Sequence, residues 1–62
     1  MFITHYEFKS YDLFAEIAGD TIKVYSPYNK VVFTGTSNEL LGFNNILFNE
    51  LLKEGLLPWK IL

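Results

Sequence analysis

Sixty-two residues with no cysteine, one histidine and a net charge of −2 exclude a disulfide-stapled fold, a thiolate metal centre and a histidine-rich metal cluster. Five lysines without arginine, set against seven acids, lack the basic excess that displaces counterions from phosphate, and the acidic surplus is too small for a DNA mimic. Half of the residues are apolar and eleven are aromatic, too hydrophobic for a disordered chain, yet no apolar run reaches the ~18 residues that span a bilayer.

The chain starts MFITHYEF, without a basic region leading into an apolar stretch, so no signal peptide is expected and the cytoplasm is the default location. No repeat, low-complexity tract or linker divides it, and residues 1–62 read as one small domain. A core of this size rarely supplies more than about 3–5 kcal/mol of net stability without a staple. The staples left are an unusually apolar composition and oligomerisation.

In chain order, residues 2–8 and 12–18 read as strands joined by a tight turn about Ser10-Tyr11. That turn sets Phe8 opposite Leu13, Tyr6 opposite Ala15 and His5 opposite Glu16. The strongest local signal is FAEIAGDTIKVY, residues 14–25, where Gly19-Asp20 suits a two-residue type II′ hairpin. This turn fixes five pairs: Ala18–Thr21, Ile17–Ile22, Glu16–Lys23, Ala15–Val24 and Phe14–Tyr25. Ile17, Ile22, Ala15 and Val24 then share one face, with the ionic and aromatic pairs on the other, and a slip of one residue would scramble both faces. A third strand, 21–26, and a fourth, 30–34, flank Ser26-Pro27-Tyr28-Asn29. Read as a four-residue loop, this turn sets Val31 opposite Val24 and Phe33 opposite Ile22.

Residues 37–54 carry Leu, Phe and Ile at helical spacing. Thr36-Ser37-Asn38-Glu39 has the form of a capping box, and Gly55 suits a left-handed helix stop. Leu40, Phe43, Leu47 and Leu51 form one stripe, which Leu41, Phe48 and Leu52 widen to about half the circumference, more than the stripe of a little over 100° that a helix on a sheet needs. Asn44 falls inside that arc and is expected to bond a nearby carbonyl. The tail then runs Leu56, Leu57, Pro58, Trp59, Lys60, Ile61, Leu62. Full burial of a large apolar side chain is worth about 1.5–3 kcal/mol, so the tail is expected to be covered, by this chain or by another. Pro58 could open a short fifth edge strand.

The expected fold is therefore α+β. It has two layers: a four-stranded antiparallel meander, and one C-terminal helix packed on the face of Phe2, Tyr6, Phe8, Ile17, Ile22, Val24 and Phe33. An apolar tail follows.

Chemistry-bearing groups are few. His5, Glu7 and Glu16 share the outer sheet face and could form an open three-ligand metal site, but a solvent-facing polar ladder explains them better. No glycine-framed elbow surrounds Ser10, Ser26 or Ser37, and TGTSN, residues 34–38, lacks the glycines and lysine of a phosphate loop. No catalytic residue, metal or cofactor is implied.

What remains is surface. Phe14 and Tyr25 sit side by side on the outer face, with Lys23 beside them and Ile3 and Val32 nearby. Aromatic residues are over-represented at interface centres. The expected function is a non-enzymatic protein-interaction module: an adaptor, inhibitor or regulatory protein of the kind found in small bacterial or phage-encoded chains. The alternative is a single-stranded nucleic-acid binder that stacks bases on Phe14 and Tyr25, with Lys23 alongside; the charge disfavours it. A homodimer is also expected, burying Trp59, Ile61 and part of the side formed by Leu41, Phe48 and Leu52. The candidate contact residues are thus Phe14, Tyr25, Val32, Leu41, Phe48, Leu52, Trp59 and Ile61, and no membrane contact is foreseen.

Overall fold

Gly19 stands at φ +59° while Asp20 keeps a negative φ, the sign pattern of a type II′ turn, and it launches the central hairpin of the protein. The computed structural model describes residues 3–57. Its strands are β1 (Ile3–Phe8), β2 (Leu13–Ala18), β3 (Thr21–Tyr25) and β4 (Val31–Gly35), and its helices are α1 (Ser37–Phe43) and α2 (Asn45–Lys53). The four strands form one open antiparallel sheet in the order β1-β2-β3-β4. All five expected β2–β3 pairs are present. In the β1–β2 pair, Phe8 faces Leu13, Tyr6 faces Ala15 and His5 faces Glu16, as expected. That turn closes through the Tyr11 N–H on the Phe8 carbonyl at 3.0 Å, with Asp12 left-handed at φ 55°.

The third hairpin differs from expectation. Phe33 lies opposite Val24, not Ile22, and Val31 lies opposite Tyr25, not Val24. Ser26 N–H bonds the Lys30 carbonyl at 2.8 Å, so only Pro27, Tyr28 and Asn29 remain in the loop, with Asn29 at φ 63°. Ser26 Oγ also accepts the amides of Tyr28 and Lys30, both at 3.3 Å. A loop one residue shorter turns β4 over by one position. The register shift beside Val24 and Tyr25 turns it back, leaving Val32 as the extra residue of a bulge. Phe33 thereby keeps its apolar face, while Val31 and Val32 are exposed.

The helical region also departs from a single rod. Asn44 is extended (φ −159°, ψ 99°) and breaks it in two. Its side-chain oxygen accepts from the amides of Ile46 at 3.0 Å and Leu47 at 3.2 Å, making it the N-cap of α2. It does not bond a carbonyl through its side chain. The break resets the angular phase, so one wheel drawn through 37–54 misassigns faces. Phe43, on the core stripe of that wheel, is exposed and stacks on Phe33 with centroids 5.0 Å apart; Phe48, on its flank, is buried.

The two outer ends follow the sequence. The Thr36–Glu39 capping box is complete: Glu39 N–H donates to the Thr36 hydroxyl at 3.3 Å, and the Thr36 amide donates to the Glu39 carboxylate at 2.8 Å. Gly55, at φ +73°, ends α2 in a Schellman turn. Its amide bonds the Leu52 carbonyl, and the Leu56 amide bonds the Leu51 carbonyl, each at 3.0 Å.

The core lies between the helices and one sheet face. Phe8, Ala15, Ile17, Ile22 and Val24 meet Leu40, Leu47, Phe48 and Leu51, with Tyr6, Leu13, Phe33, Leu56 and Leu57 packed around them. Of the expected sheet face, Phe2 lies outside the described residues, as do Trp59, Ile61 and the fifth strand drawn from the tail. The result is a small α+β domain with four antiparallel strands followed by one helical region in two pieces.

Candidate functional site

The outer sheet face is built by the register. Residues directly opposite in an antiparallel pair share a face, so three rows run across the strands. One row is Glu7, Phe14, Tyr25 and Val31; the next is His5, Glu16, Lys23 and Thr34; the last is Ile3, Ala18 and Thr21.

The first row is aromatic and aliphatic at its centre. The Phe14 and Tyr25 rings are stacked, with centroids 5.8 Å apart and 25° between planes. Val31 continues the row beyond Tyr25, and the bulge adds Val32 beside it. The four-residue loop expected from the sequence turns Val31 inward; Asn29, a residue tolerant of left-handed backbone, is the signal for the shorter loop. Ile3 is also exposed on this face.

The second row is ionic. Glu16 sits between two partners, with one carboxylate oxygen 3.2 Å from His5 Nε2 and the other 3.4 Å from Lys23 Nζ. Glu16 is 29% exposed, against 63% for His5 and 43% for Lys23, so the acid is the best-covered member. Ion pairs this exposed contribute at most about 1 kcal/mol. Lys23 Nζ also stands 6.0 Å from the centre of the Tyr25 ring, at the limit of a cation–π contact. The structure brings His5 and Glu16 together but gives Glu16 a lysine, not Glu7, as its other partner. Glu7 stands in the neighbouring row. Among the described residues no three His, Cys, Asp or Glu side chains converge as a metal-ligand group.

A second, polar feature lies where β1 meets α2. Tyr6, Asn49, Glu50, Lys53 and Glu54 line an open groove. The Tyr6 hydroxyl donates to the Glu50 carboxylate at 2.5 Å. That hydrogen bond, then desolvation, then the negative charges of Glu50 and Glu54, push the phenol up to about 12. Tyr6 is thereby held as a neutral donor, the opposite of what a base or nucleophile requires.

The candidate contact residues separate in space. Phe14 and Tyr25 lie together on the outer sheet face, and Val32 is exposed as the extra residue of the bulge in β4. Leu41 and Leu52 are exposed on different helices, with Ile46 exposed as well, while Phe48 belongs to the core and offers no surface. Trp59 and Ile61 lie outside the described residues. Ser37 is fully buried at the first position of α1, and its hydroxyl has no partner among the described residues. No described helix is long and apolar enough to cross a membrane.

Comparison with known protein families, with curated proteins and with solved structures finds no match.

Proposed function

We propose that this chain is a non-enzymatic protein-interaction module, an adaptor, inhibitor or regulatory protein, that holds a protein partner on the outer face of its sheet. The observation that supports this reading most is the stacked Phe14–Tyr25 pair, whose row continues into exposed Val31 with exposed Val32 next in the chain. An aromatic centre with aliphatic neighbours and a polar row at its side is the composition of an interface centre and rim. The test is a pull-down from the source cell with the native chain and with Phe14→Thr/Tyr25→Thr, whose β-forming replacements keep the strands. A partner retained by the native chain and lost by the variant, at equal far-ultraviolet circular dichroism, is the expected result. Equal capture by both overturns the outer face as the binding surface.

The Lys23 ammonium near Tyr25 is the one observation favouring single-stranded nucleic acid. Two others weigh against it. The aromatic rings each cover a face of the other, and the Glu16 carboxylate pairs with the Lys23 ammonium. A gel shift at low salt is expected to show no complex; micromolar binding that weakens steeply with salt would favour this rival.

A homodimer belongs to the same reading. A chain this small gains from burying surface against a copy of itself, and Leu41 and Leu52 leave apolar area uncovered by the sheet.

A further inference from the structure

Among the described residues the open sheet has two edges, β1 and β4, and they are unlike. β4 is short, carries the bulge at Val32 and lies along the side of the sheet covered by α1. β1 pairs with β2 through six consecutive residues without a register shift, and Ile3–Phe8 contains no proline, glycine or lysine. Edge strands ordinarily carry such features because a regular free edge is a template for another strand. Among the described residues β1 has only a single charge, Glu7, in that role, and nothing pairs its outer side.

We propose that β1 pairs antiparallel with β1 of a second copy, centred on Tyr6, so that two chains share one continuous sheet. The register follows from which side chains meet. Directly opposed residues share a face, so registers that keep both helical layers on one side pair residues of like parity. Centring on His5 sets the two His5 rings opposite each other. Centring on Glu7 opposes the two Glu7 carboxylates and brings His5 against Lys9. Centring on Tyr6 places His5 opposite Glu7 of the copy and Glu7 opposite its His5, two imidazole–carboxylate pairs by symmetry, in which a ring N–H can donate to the carboxylate. Thr4 then faces Phe8, and Tyr6 faces Tyr6. His5 and Glu7 are both exposed and both on the outer face, and complementary cross-strand pairs contribute to sheet stability. The ionic row Lys23–Glu16–His5 would thus run on across the two-fold axis to the copy's Glu7. This inference rests on the homodimer reading but places the contact at the β1 edge, not on the Leu41 and Leu52 side.

The test uses the full chain and two charge reversals. Light scattering at about 10 and about 100 μM is expected to show the native chain moving toward twice its 7.2 kDa. Glu7→Lys sets a lysine against His5, and His5→Glu sets a glutamate against Glu7, so each variant alone should dimerise at least about tenfold more weakly. Mixed one to one, the two variants restore both pairs. The unaltered His5 of one chain meets the unaltered Glu7 of the other, the introduced lysine meets the introduced glutamate, and the dimer mass should return. Recovery on mixing also shows that both variants are folded. Should His5→Glu fail to fold beside Glu16, Glu7→Lys alone still reads the contact, since Glu7 takes no part in that row. A native mass of 7.2 kDa at both concentrations ends the dimer reading as a whole. A native dimer unaffected by either reversal keeps the dimer and removes β1 as its interface.

Discussion

The hydroxyl of Tyr6 reaches across from β1 to the carboxylate of Glu50 on α2, a hydrogen bond between residues 44 positions apart in sequence. It ties the first strand to the last helix, and it fixes the ionisation of the phenol.

Alkaline stability should therefore depend on Tyr6. Its pKa rises from 10.0 to about 12 on folding, through the Glu50 hydrogen bond first, then desolvation and the nearby carboxylates. A group with a raised folded-state pKa contributes its stability in full below the unfolded value and loses it as pH climbs through the folded value. The native chain should hold its stability up to about pH 10 and lose this contribution between about 10 and 12. Tyr6→Phe should unfold at lower denaturant at neutral pH and lack that alkaline slope. Denaturant melts across this range check both, and an identical slope in the variant would refute the assignment.

Asn44→Ala should remove the N-cap of α2 and cost about 0.5–2 kcal/mol, whereas Asn44→Asp should retain most of it, because a carboxylate also accepts from the Ile46 and Leu47 amides. Chemical denaturation of the three chains measures this. A neutral Asn44→Ala would mean that 37–53 runs as one helix in solution.

Ser37→Ala should be neutral or stabilising. A fully buried hydroxyl without a partner among the described residues carries a desolvation penalty of about 1–3 kcal/mol. Removing one oxygen leaves little cavity. The melting temperature should stay or rise, and a clear fall would show that the hydroxyl is hydrogen-bonded.

Gly35→Ala should act through the capping box. A Cβ there would lie 2.5 Å from the Glu39 carboxylate oxygen and 3.1 Å from the Phe33 ring. That oxygen is the acceptor for the Thr36 amide, so the added methyl group displaces the side chain that completes the cap. The loss should be on the order of 1 kcal/mol and should shrink when Glu39→Ala is already present. A double-mutant cycle decides; strict additivity would mean the clash is with the Phe33 ring or with the Glu39 Cβ, which alanine retains, and not with the carboxylate.

How far the fold was legible depends on how much freedom each connection left. Gly19-Asp20 left none. A two-residue turn determines every pair of the hairpin, and the paired types agree on both faces. Residues 26–30 left a choice of loop length, and patterning could not resolve it, because Val31, Val32 and Phe33 are apolar in succession and satisfy either register. The bulge then restored the inward face of Phe33, so the core residue was placed correctly against the wrong partner. Asn44 was missed for a different reason. The apolar stripe continues through it, so periodicity alone argued for one helix. The available signal was local: a strong N-cap residue just after Gly42, with an apolar run resuming at Ile46. The outer face was legible as far as Phe14, Glu16, Lys23 and Tyr25, all set by the tight hairpin. Its boundary at Val31 was not, since that depended on the bulge.

The sheet order β1-β2-β3-β4 also has a consequence in time. Each strand pairs with its neighbour in sequence, so contacts across the sheet close short loops and can form quickly. The face they create is another matter. Phe8, Ile17, Ile22 and Val24 are covered by Leu40, Leu47, Phe48 and Leu51, all from the helical region that follows the sheet. While the chain folds, the sheet can therefore assemble before its cover docks. A fragment ending at Gly35 would keep every described strand and present a greasy, unroofed meander, the form in which this protein is most exposed to chaperones and to its own kind.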